Sequence, residues 1–519
     1  MDELDARLRA VCDLTVSDAR EFSGRHEYDG VIQDLSPDGV RSGLAALAAA
    51  SNGHAGGAGG GGGGALADPH DEAHLATFED RARAELGELE LHRKNPMLHL
   101  SELDLASYDR AYAPAADRHR AKLQHLAQWP RGVEAALASL DQVSAPVATA
   151  LLGGIKGLAA GIPADAPAET AEAARVAHRR LVDHLERAAA EGEPDAALGA
   201  PALTALMGSS ERMELDLGQL AAHADAERDR LLALLGEACA RITPGRPALA
   251  VARELVRDHP GPDGVLEAAR YWTERTVAFC AERDLVPYHD GECLVGLAPE
   301  SRRWAMAMMS PAAPGEPEGP SWYHITPPDP GWPQREQEEW LEVFSATTLP
   351  GITVHEVAPG HFSHYRAIRH AATPVRRILQ SNAFVEGWAH YAEEMCVEEG
   401  FAGDDPRFAA GVWLEALVRV TRLACAIGVH TGGMTVEEGA RRFEADTHLA
   451  GPAALSEARR ATFDPTYGRY TWGKLAILAL REQARQQWGG SFSLPRFHAA
   501  LLDLGAPPLG LMATAILRG

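Results

Sequence analysis

The chain has 519 residues, 46% of them hydrophobic, which is enough for a large buried core in one two-lobed helical enzyme or in several domains. Acidic residues outnumber basic residues 73 to 49, and the formal net charge of −24 argues against a nucleic-acid partner, which would need clustered Lys and Arg. Six cysteines without a short Cys-x-x-Cys spacing disfavour a disulfide framework and a thiolate zinc site.

The N-terminus does not resemble a signal segment. Residues 1–14 are charged and helical in pattern rather than apolar. The longest run of low charge, residues 143–155, contains Pro146 and is too short to span a bilayer. We therefore expect a cytoplasmic protein with no membrane partner.

Residues 1–250 are predicted to form mainly an N-terminal helical lobe. Residues 51–72 are rich in glycine, which has no side chain to bury and costs the most entropy to order, so a flexible loop is expected there. The Ala-rich stretches 171–190, 214–240 and 263–284 place apolar residues three and four positions apart, which predicts helices.

The remaining residues are predicted to form a second lobe, 251–519, that carries the active site. Residues 293–297 and 321–326 are β-prone and predict one small sheet in a chain that is otherwise mostly α. A Pro/Gly loop is expected at 311–320. The following helix, predicted at 334–347, leads into a cluster of histidines.

That cluster is TVHEVAPGHFSHYRAIRH, residues 353–370. In the zinc motif His-Glu-x-x-His the two histidines are about 40° apart around the helix, whereas His355 and His361 would be about 120° apart on an unbroken helix. Pro359 cannot donate the N–H that would bond the carbonyl of His355, and its ring clashes with that turn. We therefore predict that the helix is interrupted at Pro359 and Gly360, and that the interruption returns His361 to the position of a second ligand.

A third ligand is expected on the predicted helix 381–395, capped by Ser381 or Asn382. Glu386 lies 25 residues after the second histidine and shares one helix face with His390 and Glu393. Two neutral imidazoles and one carboxylate are a typical set for a single catalytic Zn²⁺, which needs an open fourth position for water.

Four segments carry a resemblance to a known family: HEVAPGH, VEGWAHYAEE, GVHTGGMTVEEGARRF and YGRYTWGKLAILALREQAR. In this order, and over residues 25 to 515, the chain resembles the bacterial "domain of unknown function 885" family. That family looks related to helical zinc peptidases that use His-Glu-x-x-His and a later glutamate. The resemblance implies one unit, residues 1–519, with two interlocked lobes and a small β-sheet beside a deep central cleft.

The resemblance also implies roles for individual residues. His355, His361 and Glu386 match the expected zinc ligands, and Glu356 matches the base that takes a proton from water. Tyr470 matches the tyrosine of a Tyr-x-x-Gly motif and is expected to donate a hydrogen bond to the oxyanion of the reaction.

Four further positions complete the prediction. His430 matches a Gly-x-His histidine and is a second candidate for the oxyanion, although Ala426 stands where the family usually has an aspartate. Lys474 and Arg481 lie on about the same helix face as the predicted oxyanion tyrosine and could hold a substrate carboxylate. His390 is counted with them as a substrate contact. The choice between exo- and endopeptidase action stays open.

The predicted function is a zinc metallopeptidase acting on a peptide or a small amide. A carboxylate-bridged metal pair would need Glu-x-x-His on two helices, and no histidine of the sequence has a glutamate three residues before it. Two alternatives stay open: a zinc hydrolase of a non-peptide amide or ester, and a non-catalytic metal-binding or scaffold protein that retains the fold. The oligomeric state does not follow from the sequence.

Overall fold

The computed structural model describes residues 4–53, 66–299, 302–303, 305–403 and 405–519. The described chain is mostly helical with one small sheet, as predicted. Of the predicted glycine-rich loop, residues 54–65 lie outside the described residues. Residues 51–53 end one helix, and residues 69–72 begin the next.

The helices before the sheet are α1 Ala6–Asp13, α2 Val16–Glu21, α3 Pro37–Gly53, α4 Pro69–Ala82, α5 Leu91–Lys94, α6 Pro96–Leu103, α7 Ala115–Ser139, α8 Ala145–Gly157, α9 Ala168–Glu191, α10 Ala200–Glu211, α11 Leu217–Ile242, α12 Ala248–Leu255 and α13 Val265–Glu282. Helices α9, α11 and α13 confirm the three predicted Ala-rich helices. In α11 the side chain of Asp216 caps the N-terminus, and apolar residues recur on the buried face.

The helices after the sheet are α14 Gln334–Leu341, α15 Leu349–Glu356, α16 His361–His370, α17 Pro374–Ile378, α18 Asn382–Glu398, α19 Pro406–His430, α20 Val436–Asp446, α21 Pro452–Phe463, α22 Arg469–Trp488, α23 Leu494–Leu502 and α24 Thr514–Arg518. The predicted helix 334–347 is wrong at its end, because α14 stops at Leu341. The Ser345 hydroxyl accepts a hydrogen bond from the N–H of Thr348, and a new helix begins at Leu349 with Pro350 in its first turn.

The sheet has three strands in the order β1-β3-β2: β1 Cys293–Leu297, β2 Ala307–Ser310 and β3 Ser321–Ile325. Strand β1 runs parallel to β3, with Val295 opposite Tyr323, and β2 runs antiparallel to β3. The sequence predicted β1 and β3 but not β2, which has only four residues. The Pro/Gly segment 311–320 connects β2 and β3, as expected.

Helices α15, α18, α19 and α22 form the centre of the largest hydrophobic core, which contains residues on both sides of the predicted lobe boundary at residue 250. The division into two lobes stays a prediction. Helices α18 and α22 touch through glycines: a Cβ on Gly473 would lie 2.0 Å from the carbonyl oxygen of Ala383. A Cβ on Gly387 would lie 2.5 Å from the Cα of Gly473. These glycines therefore allow α18 and α22 to pack closely, and Glu386 and Tyr470 each lie within one helical turn of the contact.

Within the described ranges, no helix combines the length and the apolar character needed to cross a bilayer.

Candidate metal centre

The predicted interruption of the histidine helix is present. Helix α15 ends at Glu356, where Val357 leaves the helical conformation with φ −107° and ψ −95°. The peptide bond between Ala358 and Pro359 is cis. Helix α16 begins at His361, so the chain makes a short connection between two helices instead of one continuous turn.

Gly360 is required at this connection. Its N–H donates to the carbonyl oxygen of Val354 at 3.1 Å, which holds the connection against the end of α15. A Cβ at this position would lie 2.0 Å from the carbonyl oxygen of His355, far inside contact distance. The indole N–H of Trp388 on α18 donates to the carbonyl oxygen of Pro359 at 2.8 Å and fixes the connection from the other side.

The three predicted ligand side chains converge. The Nε2 atoms of His355 and His361 lie 3.5 and 3.4 Å from the same oxygen, Oε2 of Glu386. The two imidazole rings are nearly perpendicular, with centroids 4.7 Å apart. Two ligands that are each about 2.1 Å from a tetrahedral zinc ion lie roughly 3.4 Å from each other. The spacing is therefore that of ligands around one ion.

The carboxylate oxygen at which the two histidines meet is unsatisfied: among the described residues, Oε2 of Glu386 is buried and has no hydrogen-bond partner. His355 and His361 are only 4% and 8% exposed. Buried polar atoms without partners are costly, and a cation would satisfy the carboxylate oxygen. Two imidazole nitrogens and one carboxylate oxygen are a donor set that fits Zn²⁺.

Helix α18 positions the glutamate. Its N-terminus is capped by Ser381, whose hydroxyl accepts from the N–H of Phe384 at 3.1 Å, so the first of the two predicted caps is the correct one. The Ser381 hydroxyl also donates to the carboxylate of Glu211 at 2.8 Å. Most of the helix is buried, which leaves it little freedom to rotate Glu386 away from the histidines.

Glu393 contacts one of the predicted ligands, and sequence reasoning assigned it no role. The Nδ1–H of His355 donates to Oε1 of Glu393 at 2.6 Å, and Arg419 on α19 donates to Oε2 of the same carboxylate at 3.1 Å. The Glu393 side chain has no exposed surface. A carboxylate in this position fixes the ring and leaves Nε2 free to bind a metal. The helical spacing of the sequence could have identified Glu393, since it falls on the same helix face as Glu386.

These contacts shift the ionisation of the cluster. Burial and Arg419 act to lower the pKa of His355, but the carboxylates of Glu386 and Glu393 outweigh them and raise it to about 9. Burial acts to raise the pKa of Glu386, but its two histidine neighbours hold that pKa well below the usual range. The site therefore favours a positive charge beside Glu386, which a divalent ion supplies.

Glu356 and Tyr470 lie at the cluster with free polar groups. Glu356 is 9% exposed and makes no hydrogen bond or ion pair with any described residue, yet its carboxylate oxygens remain reachable by solvent. The Tyr470 ring stacks near that of His355, with centroids 6.2 Å apart and planes 26° apart. Both residues therefore keep polar groups without a partner among the described residues.

Two of the predicted histidines are not available in this way. The Nε2–H of His430 donates to the carbonyl oxygen of Ala461 at 2.7 Å, and its Nδ1 accepts from the N–H of Leu198 at 3.3 Å. Because both nitrogens are bonded to backbone, the predicted oxyanion role is not supported. His390 is 1% exposed and has its Nδ1 3.6 Å from Glu393, so it packs behind the site and does not line it.

The predicted substrate cations on α22 are also engaged inside the protein. The Nζ of Lys474 has no exposed surface and lies 2.8 and 2.7 Å from the carboxylates of Glu227 and Glu394. Arg481 donates to both oxygens of Glu398 at 2.7 and 2.9 Å. Lys474 is fully buried between two carboxylates, and Arg481, which lies eleven residues or about three helical turns beyond Tyr470 on α22, is paired with Glu398. The prediction that both residues hold a substrate carboxylate is therefore corrected.

Two solved structures share the fold over almost their whole length. One is described as "a putative lipoprotein of unknown function from Shewanella oneidensis", with 19% sequence identity, a TM-score of 0.78, and coverage of 99% of this chain and 98% of that one. The other is "the putative lipoprotein from Colwellia psychrerythraea", with 16% identity, a TM-score of 0.76, and coverage of 99% of both chains. No curated protein matches the chain.

These likenesses overturn the expected cytoplasmic location. Both similar structures are described as lipoproteins, and a lipoprotein is held at a membrane by its lipid instead of being free in the cytoplasm. The expectation rested on the charged character of residues 1–14, which does not determine the location.

The family resemblance seen in the motifs extends over the chain. The family described as "Bacterial protein of unknown function (DUF885)" matches residues 19–516, which includes the histidine cluster and helices α18 and α22. The chain belongs to this DUF885 family of bacterial proteins.

Proposed function

We propose that this protein is a zinc-dependent hydrolase and, most directly, a metallopeptidase. One observation carries the proposal: His355, His361 and Glu386 present their ligand atoms at the spacing of a tetrahedral zinc site, beside Glu356, to which no described residue bonds. Structural zinc sites have four protein ligands, whereas three leave a position open for chemistry.

Each residue has a distinct task in this proposal. When bound, Zn²⁺ supplies a Lewis acid that lowers the pKa of water and polarises a carbonyl group. Glu356 accepts the proton of the attacking water and passes it to the departing nitrogen. The Tyr470 hydroxyl donates a hydrogen bond to the oxygen on which negative charge develops. Glu393 holds the ring of His355 in the orientation that binding requires.

We also propose that the chain forms two lobes around a deep central cleft, as expected for a helical zinc peptidase. The burial of Glu356 supports it, since the residue is only 9% exposed while its carboxylate oxygens remain reachable by solvent, so it is recessed below the surface. The candidate site residues His355, His361, Glu386 and Tyr470 come from four separate helices, α15, α16, α18 and α22.

Metal content tests the site. Wild-type protein reconstituted with zinc is expected to bind one ion per chain by elemental analysis, whereas His355→Ala and Glu386→Ala lose it. His390→Ala is the matched control, since it removes a buried histidine from the same helix face without touching the three ligands and is expected to keep the ion. Absence of zinc from the reconstituted wild type contradicts the site.

Cleavage tests the activity. Wild type and Glu356→Gln are compared on a peptide library and on a panel of non-peptide amides and esters. Peptide cleavage that disappears in Glu356→Gln supports a peptidase, and turnover of only the second panel supports the alternative hydrolase. Zinc binding without any turnover that depends on Glu356 supports a non-catalytic metal-binding protein and removes the enzymatic claim.

A further inference from the structure

Three arginines surround Tyr470. The guanidinium carbons of Arg419, Arg422 and Arg469 lie 5.8, 5.5 and 5.6 Å from the centre of its ring. Their side chains are 8%, 15% and 18% exposed, so the group is held within the protein. In a chain with a net charge of −24, this concentration of cations lies beside the ring that stacks on His355.

Each arginine is paired with a carboxylate but keeps donors unused. Arg422 donates to Glu457 through Nε and one terminal nitrogen, at 2.7 and 2.7 Å. Arg469 donates to Asp464 through both terminal nitrogens, at 2.7 and 3.1 Å. The acids hold the guanidinium groups in place and balance part of their charge.

The remaining N–H groups have no partner among the described residues. Among the described residues, none accepts a hydrogen bond from Nε or the second terminal nitrogen of Arg419, from the third nitrogen of Arg422, or from Nε of Arg469. These nitrogens remain reachable by solvent. Arg419 is itself only 7% exposed, and it also holds Glu393 behind His355. Unused guanidinium donors at a buried position are suited to a planar anion.

We infer that Arg419, Arg422 and Arg469 form a subsite for a free carboxylate of the substrate, next to the hydrolytic centre. This rests on the proposed function and names its substrate class: peptides or N-acyl amino acids cut at the bond that releases the residue with the free α-carboxylate. The cations expected for this task from the sequence, Lys474 and Arg481, are used elsewhere, and α19 contributes two of the three that replace them.

Binding of matched acids and amides tests the subsite without turnover. Zinc-loaded Glu356→Gln is titrated calorimetrically with N-acetyl amino acids and with the corresponding N-acetyl amino acid amides. The acids are expected to bind roughly tenfold tighter or more, because hydrogen bonds between charged partners are the stronger kind. Equal affinity for acid and amide overturns the inference, and so does the absence of binding of either.

Substitutions locate the preference. Arg419→Lys, Arg422→Lys and Arg469→Lys, each in the Glu356→Gln background, keep the charge but lose the planar array, and are expected to bring the acid-to-amide ratio toward one. Arg481→Lys, at an arginine paired with Glu398 farther along α22, is expected to keep the ratio. A ratio that none of the three substitutions changes assigns the carboxylate to another part of the protein.

The two proposals fail separately. Zinc binding and Glu356-dependent turnover with equal affinity for acids and amides leave the hydrolase and remove the subsite. Preference for the acid in protein that binds no zinc leaves the subsite and removes the hydrolase. The comparison of acid with amide needs no arginine variant, so a variant that fails to fold does not prevent the test.

Discussion

The role of Glu393 is tested by Glu393→Gln, which keeps the shape of the side chain and removes its charge. The amide has one acceptor where the carboxylate has two, and His355 and Arg419 both donate to this group at 2.6 and 3.1 Å. If the amide oxygen serves Arg419, its NH₂ faces Nδ1 of His355, which moves the imidazole proton to Nε2 and blocks the ligand lone pair. If the oxygen serves His355, the NH₂ opposes the guanidinium group.

Both orientations weaken the site. Loss of a partner behind a ligating histidine lowers metal affinity about 10- to 100-fold, equivalent to about 1.4 to 2.7 kcal/mol. Breaking a buried ion pair destabilises a protein by about 3 to 5 kcal/mol, and the Glu393 and Arg419 side chains are 0% and 8% exposed. We therefore expect Glu393→Gln to lose zinc affinity and thermal stability together.

The measurement is zinc affinity by competition with a chelating dye at fixed pH, combined with thermal unfolding. Glu394→Gln is the matched control, because this neighbouring buried glutamate pairs with Arg230 and Lys474 and not with a ligand. It is expected to lose stability and keep zinc affinity. The reasoning is refuted if Glu393→Gln binds zinc within about twofold of wild type, or if Glu394→Gln weakens binding equally.

Three further predictions concern packing and ionisation. Gly360→Ala places a Cβ 2.0 Å from the carbonyl oxygen of His355 and is expected to cost roughly 3 kcal/mol or more of stability and to lower zinc content. The control Gly153→Ala, with open space around it, is expected to be neutral or stabilising in thermal unfolding. A Gly360→Ala protein that folds and binds zinc contradicts the geometry. Lys474→Met removes a cation from between two buried carboxylates, so the free energy of unfolding in urea is expected to fall by about 3 to 5 kcal/mol while peptide affinity stays unchanged. Weaker peptide binding by a folded variant would show that Lys474 contacts the substrate. Burial raises the pKa of Glu211 from 4.5 to about 7, so the folded state keeps a proton that the unfolded state releases, and stability falls by about 3 kcal/mol as the pH rises between these values. Glu211→Gln is expected to lack this fall in unfolding free energy, and an unchanged pH profile rules out the shift.

Helix prediction succeeded where one buried face repeats. In α9, α11 and α13 the apolar positions recur at helical spacing, and this local pattern is sufficient to predict a helix. Strand β2 has four residues, and its pairing with β3 depends on a partner across the intervening loop, which no local pattern of the strand reveals. The end of α14 was missed because Ser345 and Thr348 compete for backbone bonds.

The ligand residues were predictable because metal chemistry restricts residue type and spacing. Pro359 and Gly360 predict the geometry of a metal site only because two histidines flank them. An unbroken helix would point these histidines apart, so a shared metal required an interrupted helix. The interruption brings Gly360 so close to the backbone of His355 that a side chain at position 360 would clash.

The assignments of surrounding side chains depended on the tertiary structure. A sequence shows that Lys474 and Arg481 are cations on one helix face, but not that glutamates from α11 and α18 already pair with them. It likewise does not show that Arg419, Arg422 and Arg469 meet around one tyrosine, since residues on α19 and α22 come together only when the helices pack.

The sequence by itself therefore determined the helical class, the family and the three residues able to hold a metal, because each depends on periodicity or on residue type at a fixed spacing. Only the tertiary structure decided which polar groups remain free at that site. Every buried charge must find a partner, and the partners of Glu393, Lys474 and Arg481 come from other helices of the fold.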